Sequence, residues 1–221
     1  MKEENPTVSR RQVFREDISN AIREEIFSGD LKPGDRIKET FWATKLGVSQ
    51  GPVREAIRDL EGMGLVETVP FKGSRVRMLT RKDMDDNYSV RICLESKSIR
   101  DAISLLSDEK LQTLVKRLEE AVEKMDVAAD YGDLRAFTEC DARFHRAIIE
   151  STGNRVLLKF YNECNIRNWF MFSALTKRES LAELQKSHKK LLQAISVRNT
   201  ERAVSLLEGH LTELMESYMD E

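Results

Sequence analysis

Proline is missing altogether from residues 81–221, and only three of the ten glycines lie there. This absence excludes a turn-rich β architecture for the larger part of the chain and leaves room for long, uninterrupted helices. Cysteine is scarce: Cys93, Cys140 and Cys164 are widely spaced, odd in number and never arranged Cys-x-x-Cys. Neither a disulfide framework nor a zinc ribbon is indicated, and three reduced thiols are expected. No apolar run approaches the ~18 residues of a membrane span; the densest is Trp169-Phe170-Met171-Phe172. Met1 to Arg15 holds no apolar signal core, so a cytoplasmic protein without membrane partners is expected. Neither sign of charge dominates. Lys plus Arg is 36, Asp plus Glu is 38, and the net charge of −2 excludes a uniformly basic nucleic-acid coat but not a local basic face.

The 221 residues are 40% hydrophobic and 33% charged, enough to bury a core. They divide near residue 80. Residues 1–80 hold all four prolines and seven glycines, the mark of short elements and turns. In this part Phe14, Ile18, Ile22 and Ile26 recur at steps of four, one apolar face of a helix over about 13–27. A turn, Gly29 to Gly34, follows. A second helix is expected from Ile37 to Leu46, with Gly47 suited to a left-handed C-cap. Ser49 is a good N-cap for a third helix over about 50–63, with Val53, Ile57 and Leu60 on its apolar side. Leu65–Val69 and Ser74–Met78 read as a β-hairpin joined by Pro70-Phe71-Lys72-Gly73. Three helices and a hairpin predict a winged helix-turn-helix over residues 1–80.

Residues 81–221 predict an all-α bundle of six to seven helices, making the chain mainly α. Thr80-x-x-Asp83 can open the first helix and Ser107 the second. Further helices are expected over about 133–151, 154–177, 180–198 and 200–218.

The third helix suits a DNA duplex. An α-helix fits the major groove, and its first turn reaches base edges and phosphates. Ser49, Gln50 and Gly51 occupy that turn; Gly51 allows close backbone approach to a phosphate. Arg54, one turn further, can contact a guanine edge or a phosphate. Arg58 can serve the backbone or an intramolecular ion pair. Lys72, Gly73 and Arg75 on the hairpin can lie along the adjacent groove.

The only histidines, His145, His188 and His210, each fall on an apolar stripe of a different expected helix. An isolated histidine of this kind is ordinarily a hydrogen-bonded core residue. Three of them, with Asp141 one turn before His145, are collectively costly to bury without compensation. A divalent cation would offset that cost. Three imidazoles and a carboxylate suit Zn, Ni or another borderline first-row metal and are too nitrogen-rich for Mg or Ca.

Leu46-Gly47-Val48-Ser49-Gln50-Gly51-Pro52-Val53-Arg54-Glu55-Ala56-Ile57-Arg58-Asp59-Leu60-Glu61, with Gly64-Leu65-Val66 and the preceding Ile26 to Gly34, closely resembles the recognition region of GntR-family bacterial transcription regulators. The resemblance covers about residues 10–78. It implies a dimer on a near-palindromic double-stranded operator. Family members usually read Ser-Arg-Thr-Pro where this chain has Ser-Gln-Gly-Pro, so Gln50 stands in place of an arginine, and Thr40 holds a position that is Arg in some members. Arg54 is the matched contact that survives. Asp141-x-x-x-His145, Gly153-Asn154, His188 and His210 resemble the helical ligand-binding domain of the FadR subfamily, whose metal-binding members use an Asp and three His at these places. Arg91-x-x-x-Glu95 also matches a family position, where the arginine faces an effector pocket. Arg91, Glu95 and Asn154 are thereby implied in binding a small carboxylate, the alternative for Arg91 and Glu95 being a helix-surface ion pair.

The leading expectation is a bacterial DNA-binding transcription regulator that senses a small organic acid at a metal-containing pocket. The alternatives are a metal-dependent hydrolase with an appended helix-turn-helix, or a bundle whose ion is purely structural.

Overall fold

A computed structural model describes residues 6–164 and 181–217. Among them are nine helices and one three-stranded sheet. The chain divides into two units, Met1–Leu79 and Thr80–Glu221.

The first unit begins with α1 (Pro6–Ser28), which buries Ile18, Ile22 and Ile26 as the four-residue step requires. The short helix α2 (Glu39–Leu46) buries Trp42 and Ala43. Gly47 ends it at φ 66°, and Val48 N donates back to the Ala43 carbonyl at 3.0 Å, the closure that a left-handed C-cap permits. After the turn comes α3 (Gln50–Gly62), with Val53, Ala56, Ile57 and Leu60 buried. Ser19 on α1 donates to the Ala56 carbonyl at 3.2 Å and ties α1 to α3. Each large apolar side chain fully withdrawn here contributes about 1.5–3 kcal/mol.

The wing is larger than a hairpin. Strands β2 (Val66–Val69) and β3 (Gly73–Val76) pair antiparallel, with Glu67 opposite Arg75, and a third strand, β1 (Arg36–Ile37), adds to the other edge of β3. Ile37 was expected to open the second helix. Instead it is buried in the sheet, and the helix starts at Glu39. Two residues preceding a helix carry too little period to separate strand from helix, and the free edge of β3 decides. At the wing tip Phe71 is exposed at positive φ.

The second unit is all helical among the described residues. Its elements are α4 (Arg81–Leu105), α5 (Asp108–Asp130), α6 (Leu134–Ser151), α7 (Arg155–Glu163), α8 (Leu181–Ser196) and α9 (Thr200–Ser217). Thr80 and Asp83 form the reciprocal capping box that their spacing predicts. Ser107 and Asp133 cap α5 and α6. The helix expected over 154–177 is described only as α7; its remainder, with the run Trp169 to Phe172, lies outside the described residues. α6 packs on α5 and α4, α8 on α5, and α9 on α4 and α8. The inner faces of α4, α6, α8 and α9 therefore converge. No described helix is long and apolar enough to cross a membrane, and all three cysteines are free thiols.

Candidate metal centre and nucleic-acid interface

Asp141 and His145 stand one turn apart on α6, His188 is on α8 and His210 on α9. All four are buried, and one ligand atom from each lies within 4.8 Å of the others. His188 Nε2 is 3.0 Å from Asp141 Oδ1 and 3.3 Å from His145 Nε2. The His145 and His210 rings stack with centroids 5.7 Å apart, and His188 meets both edge-on.

Each ring is held from behind through Nδ1. His145 Nδ1 lies 2.5 Å from Glu95 Oε2, His188 Nδ1 2.9 Å from the Leu184 carbonyl oxygen, and His210 Nδ1 2.8 Å from Ser187 Oγ. Outer partners of this kind fix ring orientation and leave Nε2 for a metal. Phe144 packs edge-on against His145 and His188 and restricts both rings.

The cluster is incompletely satisfied by its own atoms. His210 Nε2 and Asp141 Oδ1 have no hydrogen-bond partner of satisfactory geometry, although His188 Nε2 approaches Asp141 Oδ1 to 3.0 Å. A buried polar atom left unpaired costs about 1–3 kcal/mol. A cation at the shared point would meet both, so the donor set fits a metal ion.

Charge follows the same geometry. Burial pulls His145 down, but the Glu95 and Asp141 carboxylates outweigh it and raise its pKa to about 9. Burial raises Asp141, yet His145 and His188 bring it well below the usual carboxylate range. Burial and the neighbouring imidazoles push His210 well below its ordinary value, toward the neutral form that ligates metal.

Arg91 is wholly buried on α4, so the surface ion pair is excluded. Its Nε donates to Glu95 Oε1 at 3.0 Å, while Nη1 and Nη2 have no hydrogen-bond partner. Glu95 thus joins Arg91 to His145 with one oxygen for each, and its pKa is lowered by both against the effect of burial. Glu95 therefore stands between a buried guanidinium and a buried imidazole. Asn154 is exposed, and its Oδ1 accepts from Val156 N and Leu157 N at 3.1 Å each. The carboxamide oxygen therefore caps α7.

In the first unit, Ser49 takes the N-cap position of α3, is exposed and makes no side-chain cap bond. Gln50 and Gly51 are exposed in the first turn, and Lys72 and Gly73 at the wing tip. Arg54, Arg58 and Arg75 each hold a carboxylate of their own unit. Arg54 pairs with Glu39, Arg58 with Glu55 at 2.8 Å, and Arg75 with its cross-strand neighbour Glu67 at 2.5 Å.

Residues 14–76 match the family described as bacterial regulatory proteins, gntR family, and residues 86–213 match the FCD domain. The HTH-type transcriptional regulator YdhC of Bacillus subtilis is 30% identical over 198 residues, covering 86% of this chain and 84% of that one. The chain belongs to the GntR family. It combines the family's N-terminal helix-turn-helix with an FCD domain, as FadR-like regulators do. The HTH-type transcriptional repressor GlaR of Escherichia coli is 27% identical over 203 residues, covering 86% of this chain and 89% of that one. A solved GntR regulator from Rhodococcus sp. RHA1 shares the fold at TM-score 0.75 and 20% identity, over 93% of this chain and 99% of that one. This GntR protein is thus a transcription regulator, and the hydrolase alternative finds no support.

Glu95 apart, sequence reasoning missed the side chains that hold the imidazoles. Ser187 is adjacent to His188 but serves His210, and Phe144 precedes His145 yet touches two rings. Tyr161 and Gln185, both buried with Tyr161 Oη and Gln185 Nε2 unpartnered, were also unmarked. Gln185, three residues before His188 on one helix face, carried a usable signal.

Proposed function

We propose that this regulator senses a small carboxylate at a divalent transition-metal centre in its helical unit and binds a near-palindromic operator as a homodimer in the cytoplasm. The observation that carries the reading is the buried Asp141, His145, His188 and His210 cluster beside a buried arginine with two unpartnered amino groups. Asp141 and the three Nε2 atoms would hold the ion, with Zn or Ni best matched to that donor set. A bound ion would supply a Lewis-acidic anchor for an anionic ligand. Arg91 Nη1 and Nη2 offer donors that no protein acceptor meets, and a planar guanidinium matches a carboxylate fork. Gln185 Nε2 adds another free donor.

Regulation would be a population shift: the acid binds two arrangements of the dimer unequally and so changes the presentation of the two recognition helices. Dimerisation follows from the physics of reading, since one short helix contacts only a half-site. For the duplex, Ser49, Gln50, Gly51 and Arg54 would work in one groove, with Arg58, Lys72, Gly73 and Arg75 on flanking backbone.

The test is a titration of the purified protein with organic acids while DNA binding is followed. A saturable change in DNA affinity that depends on bound metal supports the sensor. Metal binding with no response to any acid would leave a structural ion, and turnover of the acid would revive an enzyme.

A further inference from the structure

Glu39 is the first residue of α2, and Arg54 lies in the second turn of α3. The carboxylate grips the guanidinium from its side: Nε donates to Oε1 at 3.1 Å and Nη2 to Oε2 at 2.7 Å. Arg58 and Arg75, by contrast, each meet their carboxylate through a single contact. A side-on pair uses two of the five guanidinium donors. One hydrogen of Nη1 and the second of Nη2 share the outer edge, the other Nη1 hydrogen points back along the side chain, and the Arg54 side chain remains 55% exposed. The outer edge is the one that can address a guanine or a phosphate bidentately. Each partner also favours the other's charged form, Glu39 being lowered by Arg54 and Arg54 raised by Glu39.

We propose that Glu39 is a positioning residue for sequence reading: it holds Arg54 side-on with its free edge outward, and its negative charge restrains Arg54 from indiscriminate phosphate binding. The proposal rests on α3 being the recognition helix. Two opposite effects follow from one contact. A fixed guanidinium loses less freedom when it meets its base, so specific binding gains. A carboxylate near the duplex repels phosphates, so non-specific binding is weakened. Both raise the ratio of specific to non-specific affinity.

The experiment uses the full-length protein as wild type, Glu39→Gln, Arg54→Ala, Arg54→Lys and the double variant Glu39→Gln/Arg54→Ala. The probes are a duplex selected by the wild-type protein from a random library and a scrambled duplex of the same composition. Affinity is read by fluorescence anisotropy over a range of salt, beside melting temperature. Glu39→Gln is expected to lower the selected-to-scrambled ratio by about fivefold or more, within the ~5- to 150-fold range of a bidentate base contact. Binding to the scrambled duplex should strengthen, with a log–log salt slope steeper by about 0.9 as Arg54 turns to a phosphate. Arg54→Lys should lose discrimination while keeping scrambled binding. In the Arg54→Ala background, Glu39→Gln should change the ratio no further. An unchanged ratio in Glu39→Gln, when Arg54→Ala does weaken the selected duplex, overturns the positioning role and leaves the recognition helix standing. Arg54→Ala binding like wild type overturns the recognition role itself. Equal losses on both duplexes with a lower melting temperature would make Glu39 merely structural and also overturn the proposal.

Discussion

Glu95 lies with one carboxylate oxygen 2.5 Å from His145 Nδ1 and the other 3.0 Å from Arg91 Nε. A single acid on α4 therefore connects a candidate metal ligand on α6 to the arginine proposed for the effector. The arrangement makes ligand binding and ring orientation interdependent.

Replacing that acid should weaken the centre without removing a ligand. Glu95→Gln retains size and loses charge, so affinity for Zn or Ni should drop about 10- to 100-fold. Competition against a chromogenic chelator measures it, with circular dichroism reporting the fold. Wild-type affinity in this variant would show that the His145 orientation is set by packing alone.

Metal should stabilise the helical unit. Chelation is expected to lower the melting temperature, and free ion at about 100 times Kd should add ~2.7 kcal/mol by linkage. His188→Ala should abolish the response and cut metal content in elemental analysis. A protein that melts identically with chelator, Zn and Ni would refute the centre.

Arg91→Lys separates effector from metal. Lysine keeps a positive charge beside Glu95 but lacks the planar fork, so the DNA-binding response to organic acids should need at least about tenfold more acid. Metal content should stay near that of wild type. The dose–response curve and elemental analysis decide together, and an unaltered curve would place the carboxylate elsewhere.

Glu150 provides a pH signature away from the centre. It accepts from Arg117 Nη2 on α5 at 2.7 Å and from Arg146 Nε on its own helix at 2.6 Å. Burial raises its pKa, but the two guanidinium hydrogen bonds prevail and lower it. A depressed carboxylate stabilises the fold above its unfolded pKa of ~4.3 and loses that contribution as pH falls through the folded value. Glu150→Gln should cost about 1 kcal/mol at pH 7. The gap to wild type should narrow as urea midpoints are taken toward pH 4; a gap that widens in acid would contradict the sign.

Much of the architecture was legible because helices announce themselves locally. Thr80 and Asp83 predict their capping box from spacing alone, and Gly47 predicts its left-handed cap because few other residues tolerate that φ. Ile37 was misplaced because its strand exists only through pairing with Ser74, a residue far along the chain. The four candidate ligands were legible as apolar-face polar residues. Glu95 was visible only as a partner of Arg91 four residues away, since its bond to His145 spans 50 positions. At Asn154 a polar residue before a helix looks alike whether it awaits a ligand or caps the turn, and only the fold shows that its Oδ1 takes the cap.

The order of amino acids, by itself, settled which residues had to leave water: the period of the apolar steps places Asp141, His145, His188 and His210 on inward faces, and burial of polar groups demands partners. Which partners they find was decided by tertiary packing. The crossing of α4, α6, α8 and α9 sets whether Glu95 meets His145, whether Ser187 serves its own neighbour or His210, and whether Arg91 ends in water or in the interior with two amino groups unmatched. Contacts between helices depend on angles and distances of a few ångströms, and a linear pattern carries the faces of each helix but not the way those faces are brought together.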